Sequence, residues 1–163
     1  MKIDKPSPDS MCPLCGKAPS DSEIKSHDPF VWSDLCQCYI CESCNIDPAL
    51  EFYEKDSRFF KMASGLLGLD VWECKKRYLL DVMNKTKDLL YRETEKIMLD
   101  FMTASIMRCS HQVDAISLYI EERDKAATPD ERAEAEKKLN QALSPEAHGI
   151  ETELPGIKNI GIF

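Results

Sequence analysis

Cys12-Pro13-Leu14-Cys15-Gly16, followed by Cys36-Gln37-Cys38-Tyr39-Ile40-Cys41-Glu42-Ser43-Cys44, places six of the eight cysteines of this 163-residue chain between Cys12 and Cys44. A Cys-x-x-Cys pair can aim both thiolates at one ion, and the glycine after the first pair relieves the turn behind it. The second such pair, Cys41 and Cys44, follows after 25 residues. Four thiolates at about 2.3 Å satisfy the tetrahedral demand of zinc. The spacing therefore predicts a structural zinc, one per chain, held by Cys12, Cys15, Cys41 and Cys44. Such a site adds on the order of 10 kcal/mol to folding. A short segment with few large apolar residues cannot bury enough surface to match that, so the metal is expected to act as its core.

Cys36 and Cys38 interrupt a simple two-pair ribbon. Taken together, residues 11–45 resemble the first six ligand positions of a RING finger, with Cys36 at the third position and Cys38 where the family usually has histidine. The resemblance implies a treble-clef module, and it implies a contact to a ubiquitin-conjugating enzyme through Leu14, the aliphatic residue between the first two cysteines. The family's last Cys-x-x-Cys pair is missing after Cys44. A second zinc would need Cys36 and Cys38 together with His27, Cys74 or another ligand. Two iron readings rank below zinc. Cys38, Cys41 and Cys44 resemble the opening run of bacterial ferredoxins without the fourth cysteine and its proline. Cys12-Pro13-Leu14-Cys15-Gly16 is similar to one rubredoxin knuckle.

Beyond the cysteines the sequence reads as helix. Asp47-Pro48 is a start signal, aspartate capping free N–H groups and proline losing none. Ala49, Phe52/Tyr53, Phe59/Phe60 and Ala63 then recur at helical spacing, which predicts one helix ended by Gly65 and Gly68. Asp70-Val71-Trp72-Glu73 reads as a capping box. From Asn84 to Lys125 there is neither proline nor glycine. One unbroken helix from Val71 to Lys125 would be about 80 Å long, so a break is expected near Asn84 or Ser110. Met98, Met102, Cys109, Val113, Ile116 and Ile120 mark the apolar side. Thr128-Pro129-Asp130-Glu131 has cap, proline and capping-box glutamate in register and predicts a last helix to Leu143. Lys75-Lys76-Arg77 is read as a solvated helix face, and Cys74 and Cys109 as small buried hydrophobes. The fold class expected is mainly α. It comprises a zinc module over 1–46, a helical domain with one or two long helices over 47–147, and an apolar tail over 148–163, with Leu154, Ile157, Ile160, Ile162 and Phe163, docking on the helices.

Acidic residues number 29 against 21 basic, a net charge of −8. That sign argues against affinity gained by neutralising phosphates, so nucleic acid is not expected as the main partner. The N-terminus carries no apolar secretory stretch and no run is long enough to span a bilayer, which predicts an intracellular, cytoplasmic protein without a membrane role. In a reducing compartment, cysteine pairs at this spacing hold metal rather than disulfides. Catalysis finds no constellation. Cys109 and His111 would point about 200° apart on a helix, phosphate loops and nucleophile motifs are missing, and four thiolates close the zinc site against an activated water. The expected role is a non-enzymatic interaction, adaptor or regulatory protein that binds a protein partner, with self-association through the long helix as a further option. A RING-like ubiquitin ligase is the alternative. A weaker one is a regulator that binds RNA polymerase, which the pairing of a four-cysteine finger with long helices resembles.

Overall fold

A computed structural model describes residues 4–19 and 29–144. Among these the chain is mainly helical, with one two-stranded sheet. They fall into two compact units, and the division lies after Lys75. No helix among them is long and apolar enough to cross a membrane.

The first unit opens with the Cys12–Cys15 loop. Gly16 donates its N–H to the Cys12 carbonyl at 2.8 Å, and Cys12 donates to Lys17 O at 2.9 Å, so the knuckle is closed by backbone alone. Gly16 sits at φ 70°, in the left-handed region that a residue without Cβ enters freely. Strands β1 (Phe30–Ser33) and β2 (Cys38–Cys41) pair antiparallel, with Phe30 opposite Cys41 and Ser33 opposite Cys38. Phe30 and Ile40 are buried, while Trp32 and Tyr39 form an edge-to-face pair at 5.2 Å nearer the surface. A 3-10 turn over Glu42–Cys44 follows at once and carries the last cysteine of the cluster.

Helix α1 (Pro48–Glu51) begins where Asp47 predicts, its carboxylate accepting the Ala49 N–H at 3.0 Å. The single helix expected to run to Gly65 or Gly68 is instead broken. Helix α2 spans Arg58–Leu67, with Ser57 as a fresh N-cap accepting from Phe60 N. The Glu51 carboxylate causes the break: it accepts from Ser57 Oγ and from Phe59 N, each at 2.8 Å. A side-chain acceptor and a serine cap together outcompete helix propagation through 52–57. Gly65 lies within α2, and Gly68, at φ 66°, forms its left-handed C-cap. Phe59, Phe60 and Ala63 face inward as the apolar spacing requires.

Helix α3 (Val71–Leu90) is capped by Asp70, which accepts the Trp72 N–H at 2.9 Å. Its first turns correct the reading of Lys75 as solvated. Lys75 is only 4% exposed, its ammonium 4.6 Å from the Trp72 ring centroid, 5.4 Å from Phe52 and 5.6 Å from Phe60. The Glu54 carbonyl accepts from it at 3.4 Å. Three ring faces thus surround the charge, a favourable cation–π arrangement. Cys74 beside it is fully buried, as read.

In the second unit α3 ends at Leu90, and helix α4 runs unbroken over Lys96–Lys125. The break therefore falls at 91–95, away from both expected places. Here the Glu93 carboxylate takes the N–H groups of Thr94 and Glu95, each at 2.9 Å, satisfying donors that a continuous helix would have used internally. Helix α5 (Pro129–Leu143) carries the expected capping box: Glu131 N–H donates to Thr128 Oγ1 at 3.2 Å, and Thr128 N–H donates back to Glu131 Oε2 at 3.3 Å. Helices α4 and α5 pack together, burying Cys109, Gln112 and Ile116 on one and Ala135, Leu139 and Leu143 on the other. Met98 and Met102 are half-buried and Met107 is exposed. The tail over 148–163 lies outside the described residues.

Candidate metal centre

Three local devices bring the cysteines together. The knuckle presents Cys12 and Cys15, the end of β2 presents Cys41, and the 3-10 turn presents Cys44. The four sulfur atoms lie within 4.8 Å of one another. Cys15 Sγ and Cys41 Sγ are 3.8 Å apart. A disulfide needs about 2.05 Å, whereas two thiolates on a tetrahedral zinc with bonds of about 2.3 Å stand about 3.8 Å apart. The donor set fits a metal ion. Cys12, Cys41 and Cys44 are buried and Cys15 half-buried, so the cluster opens to solvent on the Cys15 side.

The electrostatics of the thiols make the same point. Burial alone would raise Cys12, but the N–H groups of Cys41, Cys15 and Leu14 outweigh it and hold that thiol below its ordinary value. The Cys41 N–H lies 3.3 Å from Cys12 Sγ. Burial pushes Cys41 up to about 11 and Cys44 further still. Four thiols this close cannot all ionise unaided, because each negative charge disfavours the next. A divalent cation removes that obstacle and deprotonates its thiol ligands.

Neither Cys36 nor Cys38 belongs to the four-sulfur cluster, and no third metal-binding side chain among the described residues groups with them. Cys36 is buried and Cys38 half-buried at the connection of the two strands. Burial, and then the charges of Cys36 and Cys12, push the Cys38 thiol up. His27 lies outside the described residues. Cys74 and Cys109 are buried and stand outside the cluster. Leu14 is 9% exposed, while Met11 and Pro13 on either side of it face solvent. Sequence reasoning missed the burial of Lys75. The signal was present in Trp72 three residues earlier on the same helix face, but the other two rings come from elements whose placement no local pattern reports.

Comparison with known protein families, with curated proteins and with solved structures finds no match.

Proposed function

We propose that this chain is a non-enzymatic interaction or regulatory protein whose first unit is held in shape by one zinc ion on Cys12, Cys15, Cys41 and Cys44. The observation that carries the metal reading is the mutual proximity of those four sulfur atoms within 4.8 Å. A knuckle, a hairpin and a second cysteine pair leading into a helix are the parts of a treble clef, and their order here supports that description. With four thiolate ligands the ion has no open position for water, so its part is structural. What it supplies is a rigid surface for a protein partner. No disulfide joins cysteines among the described residues, which suits a reducing compartment. A ligase reading relies on Leu14 as the contact to a conjugating enzyme, and that side chain is packed away, so the interaction reading is the one put forward.

Native mass spectrometry with elemental analysis tests the metal: one zinc per chain is expected, and iron or none refutes it. Proximity labelling in cells tests the role, comparing the parent with Cys44→Ser. A set of neighbouring proteins lost in the variant supports a zinc-shaped docking surface, and identical neighbours in both refute it.

A further inference from the structure

Of the four sulfur atoms that lie within 4.8 Å of one another, three belong to buried residues and one does not. Cys12 and Cys44 are each 1% exposed and Cys41 is 4% exposed, whereas Cys15 is half-buried, on the side where the group opens to solvent. Cys12 is shielded a second time, because the Cys41 N–H donates to its sulfur at 3.3 Å. Oxidation of a cysteine follows thiolate character and exposure, so a small oxidant arriving from water meets Cys15 first. Thiolate character comes with the metal, since a coordinating thiol is deprotonated outright. Cys38 is half-buried as well, but burial pushes its thiol up, toward the protonated form that reacts poorly. Cys15 also has a partner in place. Cys41 Sγ stands 3.8 Å from its sulfur, close to van der Waals contact, although 26 positions separate the two along the chain.

We propose that Cys15 is an oxidation site for hydroperoxides, and that its oxidation passes to Cys41 as a disulfide that releases the zinc. This deepens the reading of the four-sulfur centre as a zinc site and rests on it. In the first step the Cys15 thiolate attacks the terminal oxygen of the peroxide. An S–O bond forms, the O–O bond breaks, and the departing hydroxide or alkoxide takes a proton from solvent; sulfur is oxidised to a sulfenic acid and the peroxide is reduced. In the second step the Cys41 thiolate attacks that sulfur. The S–S bond forms, the S–O bond breaks, and hydroxide leaves and is protonated to water. The knuckle is closed by backbone bonds alone, Gly16 N–H to Cys12 O at 2.8 Å and Cys12 N–H to Lys17 O at 2.9 Å, which holds Cys15 beside Cys41 between the two steps. The disulfide leaves the ion only Cys12 and Cys44, half of the four ligands that structural zinc takes. A dithiol reductant reverses the bond by exchange and returns both ligands.

The test treats the zinc-loaded full chain with hydrogen peroxide, first below one equivalent and in the presence of dimedone, which traps sulfenic acids. The first adduct is expected on Cys15. Without the trap, a zinc indicator should report one zinc released per chain, and peptide mapping without reduction should find Cys15 joined to Cys41. Dithiothreitol with added zinc should restore the metal content. Cys15→His keeps a zinc donor but offers no sulfur, and it should slow zinc release at least about tenfold. A first adduct on another cysteine overturns the proposal, as does zinc release that accompanies any other disulfide or that Cys15→His leaves as fast as before. If Cys15→His does not hold zinc, the adduct and the disulfide map of the parent chain decide alone. Zinc content before peroxide is added separates the two readings: a chain without zinc at that point refutes the metal centre, and a loaded chain that keeps its zinc under peroxide refutes this inference only.

Discussion

Replacing Cys44 with serine tests how much of the first unit hangs on its metal. Cys44 is buried, its thiol is driven up by that burial, and it sits in a 3-10 turn whose N-cap, Cys41, makes no side-chain capping bond. The sulfur is therefore held mainly by its place in the cluster. Structural zinc contributes roughly 10 to 16 kcal/mol in small finger peptides. If four thiolates share that equally, exchanging one for a poor hydroxyl ligand removes about 3 kcal/mol, or a factor of about 100 in the folded population. Around the hairpin the large buried apolar side chains are Leu14, Phe30, Leu35 and Ile40, too few to compensate. Amide hydrogen exchange read peptide by peptide is the assay. In Cys44→Ser the protection of Phe30–Ser33 and Cys38–Cys41 should fall by about two orders of magnitude, while α4 and α5 keep theirs. Unchanged protection in the hairpin, with the same denaturant midpoint, would refute the claim that the centre organises this unit.

Burial lowers the Lys75 pKa from 10.5, so between the lowered value and 10.5 the unfolded chain holds more protons and stability rises with pH. Lys75→Met, which keeps an unbranched stem without the charge, should be more stable than the parent at neutral pH, with the gap closing toward about pH 10; thermal melts over that range in which the gap widens would mean that the three ring faces outweigh desolvation. Ser105 is 1% exposed and its hydroxyl has no hydrogen-bond partner, so Ser105→Ala should stabilise the second unit by about 1 kcal/mol in urea titrations. Thr128→Ala removes the cap of α5 and should cost about 1 kcal/mol, detectable as faster exchange in the first turn of that helix and refuted by equal rates.

Signals that act within a few residues were legible in the sequence. The Cys-x-x-Cys spacing led to the four residues whose sulfur atoms meet, because each pair is positioned by its own short turn. Asp47-Pro48 and Thr128-Pro129-Asp130-Glu131 opened helices where they stand, since caps bond to N–H groups two or three residues on. Helix breaks were less legible. The chain leaves the helix at 52–57 and again at 91–95 with no glycine or proline in either stretch, because the Glu51 carboxylate accepts from Ser57 Oγ and Phe59 N and the Glu93 carboxylate accepts from the N–H groups of Thr94 and Glu95. Glutamate ordinarily favours helix, so its composition signal pointed the other way.

By itself the sequence determined a cysteine-built first segment, a helical remainder and, as a matter of spacing, the four cysteines whose sulfur atoms meet, since local geometry is set by covalent connection and hydrogen bonds of short range. Only the tertiary structure decided that Lys75 is enclosed by Phe52, Phe60 and Trp72 rather than solvated, that Leu14 is buried, and that Cys36 and Cys38 are not members of the four-sulfur group. The physical reason is that burial and sulfur-to-sulfur distance depend on how separate elements pack, and nothing in a residue's near neighbours along the chain records that.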